Sequence, residues 1–321
     1  MAEGVRPSLA ELIALRGSVA GRRMPPKGRH GSQGHGLSPL RGRGMEYAES
    51  REYARGDDAR HIDWRLTARS GRAHTKLFQA ERERLTLVVA DTAPSLYFGT
   101  RVRFKSVQAA RAGAIAAWAA VRDGDRLAAL RGSSVEPPVA PASGPRGALR
   151  VLDALVRWYG APPADDAGLA VALEHAARLL RPGSRLVVLA DPASVAALPG
   201  QGWTDARWPA LARHHEVVVL LLVDPLERTP PPAALPFLAS GDGDAAHRGE
   251  AHRVELDLAS AAQRRRWREQ FVAPVEAALA RLPARGVRVQ ALSTEMPSDA
   301  WLPLLGRGPV AVPASTAGVQ A

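Results

Sequence analysis

Three short and nearly unbroken apolar runs limit most strongly what this chain can fold into: Leu85 to Ala90 (LTLVVA), Arg185 to Ala190 (RLVVLA) and Glu216 to Val223 (EVVVLLLV). A strand with one wet face alternates apolar and polar residues. Runs without that alternation predict strands covered on both faces, as in a parallel sheet sandwiched between helices. The run at Glu216 to Val223 is the most apolar and predicts a central position.

Helical spacing fills the intervals. Phe104 to Arg122 is rich in Ala and closes at Asp123-Gly124-Asp125, before a further strand at Arg126 to Arg131. Leu149 to Tyr159, Leu169 to Leu180 and Trp203 to His215 also read as helices. Ala259 to Leu282 carries Trp267, Phe271, Val275 and Leu279 on one stripe, and a final strand follows at Val287 to Leu292. Strands and helices in alternation predict an α/β fold with a mostly parallel sheet and helices on both faces.

Around this core the composition changes. Residues 1–44, with a short helix at Leu9 to Leu15, are rich in Gly, Pro, Arg and His and read as a basic, mobile arm. Residues 45–84 are dense in charge but carry Tyr47, Tyr53, Ile62, Trp64 and Leu66, a pattern suited to a layer packed on something larger. The domain itself runs over 85–295, with a surface excursion at 225–251, and 296–321 form a Pro-rich tail.

Composition excludes several classes. The chain has no cysteine, which removes disulfides, thiolate nucleophiles and cysteine-bound zinc and suits a reducing cytoplasm. No apolar run approaches the roughly 18 residues that a bilayer requires, and no secretory signal is read. The net charge of +11 is concentrated at the start, where residues 1–43 hold eight Lys or Arg against two Glu. That arm lacks interleaved aromatic rings, so a solvated arm is the leading reading, an acidic protein or lipid surface the second, and nucleic-acid binding the least favoured. No phosphate loop, nucleophile elbow or zinc-protease helix occurs.

Two strands end in aspartates. Asp91 opens Asp91-Thr92-Ala93-Pro94-Ser95 and Asp191 opens Asp191-Pro192-Ala193-Ser194, so two carboxylates are expected to converge at the carboxyl edge of the sheet, with oxygen donors suited to Mg²⁺. A second cluster, Asp57, Asp58, His61 and Asp63, reads first as a turn, cap and ion-pair network with Arg60, Arg65 and Arg69, and second as a surface for a partner. Trp64 reads as a buried anchor for that segment, with a partner-binding role as the alternative.

The residues Gly42-Arg43-Gly44-Met45-Glu46-Tyr47, Arg51-Glu52-Tyr53, Gly56-Asp57-Asp58, Arg60-His61-Ile62-Asp63-Trp64 and Ala68-Arg69 resemble the signature of domain-of-unknown-function family 58 (DUF58). The likeness continues through Glu81-Arg82-Glu83-Arg84, Asp91, Phe98-Gly99-Thr100 and Lys105. This resemblance implies a Rossmann-like, von Willebrand A-type core preceded by the signature segment. It also implies a bacterial setting beside MoxR-type AAA+ ATPases and other von Willebrand A proteins, with no established enzymatic activity. Many relatives carry two N-terminal membrane helices, and no segment here matches them.

The von Willebrand A ion site uses Asp-x-Ser-x-Ser, a Thr and a further Asp. Asp91, Ser95 and Asp191 match it, but Ala93 replaces one Ser and Ala167 stands at the Thr position. The resemblance therefore implies a degenerate metal-ion site with weak or vestigial Mg²⁺ affinity and no other cofactor. The expected function is a cytoplasmic, non-enzymatic adaptor or chaperone-like partner of a MoxR-type ATPase, contacted through Asp57, Asp58, His61, Asp63 and Trp64 and through the loops at Asp91 and Asp191. The alternatives are a Mg²⁺-dependent hydrolase using Asp91, Asp191 and either Asp57 or His61, and a nucleic-acid binder through the basic arm.

Overall fold

A computed structural model describes residues 4–20, 45–80, 84–240 and 251–305. Contacts along the backbone divide the chain into two compact units: residues 1–29 with 84–321, and residues 30–83.

The larger unit is built on six strands: β1 (Leu85–Ala90), β2 (Arg126–Arg131), β3 (Val139–Ser143), β4 (Arg185–Ala190), β5 (Glu216–Val223) and β6 (Arg288–Ser293). They lie in the order β6-β5-β4-β1-β2-β3. All neighbours are parallel except β3, which runs antiparallel to β2 at one edge. This is the doubly wound, Rossmann-like order, in which the chain winds outward from β1 and then returns to wind the other way. The apolar run of β5 lies next to the edge strand β6 rather than at the centre. Its burial comes from the helical layers on both faces, which cover it as completely as they cover β1 and β4.

Alternate residues of each strand feed two separate cores. Val88, Ala90, Val187, Leu189, Leu220 and Leu222 face one layer, which contains α1 (Lys105–Arg122) and α2 (Gly144–Gly160). Leu87, Val89, Leu186, Val188, Val219 and Leu221 face the other, which contains α3 (Gly168–Leu179) and α4 (Ala273–Arg281). Each fully buried Val or Leu contributes about 1.5–3 kcal/mol, so runs with buried side chains on both faces dominate the stability of this sheet.

Two segments read as peripheral enter the first core. Helices Leu9–Ala14 and Arg16–Ala20 bury Leu12, Leu15 and Val19, and Trp118 of α1 donates from Nε1 to the Leu12 carbonyl at 3.0 Å. The remainder of the expected arm, residues 21–44, lies outside the described residues. Trp301, Leu302 and Leu305, placed in the Pro-rich tail by sequence, are also buried there. Apolar anchors between prolines and glycines are too sparse to register as a periodic pattern, yet each fills space in the core.

The surface excursion expected at 225–251 holds one strand of an antiparallel ribbon, Ala234–Ser240, whose partner Ala251–Asp257 runs past the expected bound. The long helix expected after it is broken into Ala261–Trp267, a π-helical turn at Arg268–Val272 and α4.

The amino-terminal end of the sheet is closed by ions. Arg185, 2% exposed at the start of β4, donates to Glu216 at 2.9 Å and to Asp123 at 3.1 Å, and Arg84 donates to Asp125 at 2.9 Å. These charges leave the opposite, carboxyl-terminal edge as the place where loops carry unassigned polar groups.

The smaller unit is a hairpin of Met45–Glu52 with His74–Ala80, antiparallel, enclosing a 3-10 turn at Ala59–His61 and a helix at Trp64–Ser70.

Candidate functional site

The strand order reverses between β1 and β4. The segment after β1 leads to α1 on one face, whereas the helix Pro192–Ala197 after β4 buries Val195 on the other, so the chain diverges beyond this pair, where open α/β sheets place their binding crevice. Asp91 and Asp191 are the first residues past these two strands, and the structure brings them together as the sequence predicts. The Asp191 backbone N–H donates to Asp91 Oδ2 at 2.9 Å, and the Ala93 N–H donates to Asp91 Oδ1 at 3.1 Å. Asp91 is 2% exposed. Burial pushes its carboxyl up to about 6, against the lowering effect of hydrogen bonds from the Asp191 N–H, the Ser194 hydroxyl and the Ala93 N–H.

Asp191 is held differently. Its Oδ1 accepts from the Ala193 N–H at 2.8 Å, capping the helix Pro192–Ala197, and its Oδ2 accepts from Lys105 Nζ at 2.8 Å. Lys105 also donates to Glu227 Oε1 at 2.6 Å, and its side chain is only 2% exposed. Burial disfavours the ammonium, but the Asp191 and Glu227 carboxylates outweigh that cost and hold the Lys105 pKa above its ordinary value. A permanent internal cation therefore sits between two acidic groups of the crevice.

A third aspartate completes the edge. Asp224 follows β5 and is wholly buried. It caps the short helix Pro225–Arg228 in a capping box with Glu227. It also accepts from the Thr100 hydroxyl at 2.6 Å, the Thr100 N–H at 3.0 Å and the Thr294 hydroxyl at 2.9 Å. Asp224 thus joins the loop after β1 to the ends of β5 and β6, while Glu227 passes the connection on to Lys105.

These donors do not fit a divalent-cation site. Both Asp91 oxygens accept from backbone amides, Asp191 divides its oxygens between an amide and the Lys105 ammonium, and Ser95 is exposed on the turn Pro94–Leu96. A metal there would have to displace a buried ammonium that is already paired with two carboxylates. Among the described residues no group of three or more His, Asp or Glu side chains is arranged to hold a metal ion.

At the position expected for a threonine, the Ala167 N–H donates to the Gly132 carbonyl at 2.8 Å. Neighbouring Asp166 accepts from the Thr92 hydroxyl at 3.0 Å, so this loop is tied to the Asp91 loop through protein groups. Gly132 permits that approach: a Cβ on it would stand 2.1 Å from the Gly168 carbonyl oxygen.

In the smaller unit the acidic cluster forms caps and ion pairs. Asp57 accepts from Arg51 at 2.6 Å and from the Ala54 N–H at 2.8 Å. Asp58 accepts from the backbone and guanidinium of Arg60, which hold its carboxyl down at about 2. Asp63 accepts from the Leu66 N–H at 3.1 Å, capping Trp64–Ser70, and from the Ser50 hydroxyl at 3.1 Å, and Arg65 reaches it through its backbone N–H. The His61 carbonyl accepts from the Thr75 hydroxyl at 3.4 Å. Trp64 corrects the anchor reading: at the first position of the helix capped by Asp63 it is 69% exposed, so its indole stands in solvent.

Lys105, Glu227 and Asp224 were not singled out by sequence as site residues, although each leaves a signal. A lysine at the first position of a helix opposes the helix dipole, which points to a buried carboxylate partner. Asp224-Pro225-Leu226-Glu227 after an apolar run has the spacing of a capping box, with the same strand-ending aspartate as Asp91 and Asp191.

Uncharacterized proteins of Mycobacterium tuberculosis (strain H37Rv) and Mycobacterium bovis are each 32% identical to the chain over 193 residues, covering 60% of it and 59% of each relative. The chain thus spans about three-fifths of the length of the curated relatives it matches. No solved structure gives a significant match. Among the described residues no helix is long and apolar enough to cross a membrane. The model of the family described as "Protein of unknown function DUF58" matches residues 49–277, which include Asp57 to Trp64, Asp91, Lys105, Asp191 and Glu227, and the chain belongs to that family.

Proposed function

We propose that this chain is a cytosolic, non-enzymatic binding protein with a von Willebrand A-like core, acting as an adaptor or chaperone-like partner of a MoxR-type AAA+ ATPase. The observation that carries this reading is Lys105, whose buried ammonium pairs with Glu227 and with Asp191, one of the aspartates expected to hold an ion. A lysine that pairs with two of the edge carboxylates keeps the shape of the binding edge without needing an ion to complete it. The reaction partners of a hydrolase would have to compete with that pair.

Two surfaces serve recognition in this proposal. One is the carboxyl edge of the sheet, with the loops that follow Asp91 and Asp191. The other is the signature hairpin, where Trp64 is exposed on the helix capped by Asp63 and follows Asp57, Asp58 and His61 in sequence. An exposed tryptophan among ordered charges has the composition of a binding hot spot. Energy for any remodelling would come from the ATPase.

Co-purification with the MoxR-type ATPase encoded beside the gene tests the reading. Wild type should retain the ATPase, and Trp64→Ala or Asp91→Ala should weaken the complex. A correctly folded wild type that retains none would overturn the proposal.

A further inference from the structure

A cavity of about 610 Å³ opens within the larger unit, between the ribbon Ala234–Ser240/Ala251–Asp257, the π-helical turn and the loop after β1. Three of the chain's five phenylalanines, Phe98, Phe237 and Phe271, line it together with Trp267 and Leu258. The Trp267 ring lies 5.6 Å from that of Phe237 and 4.4 Å from that of Phe271. Each core has its own aromatic side chains, Trp118, Trp158, Tyr159 and Trp301 in one and Trp203 and Trp208 in the other, whereas these four rings line an opening. The volume falls in the range of about 300–1,000 Å³ common for ligand pockets.

Two polar groups on the helix Ala261–Trp267 give the cavity a direction. Gln263 Oε1 is shut off from solvent and has no hydrogen-bond partner among the described residues, so it is poised to accept from an incoming donor. Arg266, three residues on and therefore on the same helix face, is exposed, lines the cavity and has no ion-pair partner among the described residues. A π-helical turn follows directly, at Arg268–Val272. Such turns shift the register of a helix and recur at functional sites. Here the shift places Trp267 and Phe271 at the cavity while Val275 and Ala278 stay in the core.

We infer that this cavity captures the carboxyl terminus of a polypeptide ending in an apolar residue. The last side chain fills the aromatic wall, the α-carboxylate pairs with Arg266, and the last peptide N–H supplies the donor that Gln263 Oε1 lacks. An alkyl carboxylate would satisfy Arg266 and the wall but brings no N–H, so the orphaned acceptor favours a peptide over a fatty acid. The inference goes beyond the ATPase partnership and does not depend on it.

Fluorescence polarisation on the full chain tests it, with fluorescein-labelled pentapeptides ending in leucine, valine, phenylalanine or tryptophan. Each is compared as free acid and as C-terminal amide, with decanoate as competitor. The expected result is saturable binding of at least one free acid, about tenfold tighter than its amide, with that difference abolished by Arg266→Ala. Arg266 is exposed, so the variant should fold as the wild type does, and a thermal melt checks this. No saturable binding by any peptide, or equal binding of acid and amide, would overturn the inference. So would decanoate binding in the absence of peptide binding. Affinity that emerges only when residues 241–250 are replaced by a Gly-Ser linker would assign the cavity to the chain's own loop, and overturns it equally.

Discussion

The backbone N–H of Asp191 reaches Oδ2 of Asp91 across 2.9 Å, so the two strand-ending aspartates are joined by the protein itself. Because Asp91 is buried, its carboxyl titrates near 6, against about 3.9 in an unfolded chain. The folded state holds this proton more tightly than the unfolded state. The resulting stabilisation is complete below about pH 4 and is lost as pH rises through about 6, a change of roughly 3 kcal/mol. Chemical denaturation of wild type and Asp91→Asn across pH 4 to 7.5 should show wild type losing stability relative to the variant. A difference that stays constant across the window would contradict this account.

Lys105 supports a further prediction. Removing one member of a buried ion pair strands the other charge, typically at about 3–5 kcal/mol. Lys105→Met should lower stability by that order, as read from the unfolding midpoint. Adding Asp191→Asn and Glu227→Gln should restore part of the loss, since the three groups act as one network.

The same ammonium governs ion binding. Calorimetric titration of wild type with Mg²⁺ or Mn²⁺ should give no saturable heat at micromolar concentrations, and Asp91→Ala should behave identically. Micromolar binding abolished by Asp91→Ala would instead favour a metal-dependent hydrolase using Asp91 and Asp191.

Trp64 and Trp301 should respond in opposite ways. Trp64→Ala, at a position 69% exposed, should change stability by less than about 0.5 kcal/mol and yet weaken retention of the ATPase. Trp301→Ala, at a fully buried position, should cost about 3–5 kcal/mol.

How much was legible in the sequence depended on whether a signal was local. Leu85–Ala90, Arg126–Arg131, Arg185–Ala190 and Glu216–Val223 match their predicted bounds, because a strand buried on both faces must be apolar throughout. Strand β3 (Val139–Ser143) escaped, since its edge position leaves it partly exposed and its prolines and alanines carry no period. The convergence of Asp91 and Asp191 followed from strand ends alone. The ion-pair network did not, because Asp191 and Glu227 lie 86 and 122 residues beyond Lys105 and meet it only once the sheet order is known. Trp64 was misread because an aromatic residue at the start of a helix carries no mark of which way its ring points.

Leu12, Leu15 and Val19 share one apolar cluster with Trp301, Leu302 and Leu305. A truncation that strips the basic N-terminal stretch from its first residue therefore also uncovers α1 and exposes the core. Loss of nucleic-acid or partner affinity in such a truncation would report unfolding rather than charge. Excising residues 21–43 alone, with the two leading helices left in place, separates electrostatics from architecture.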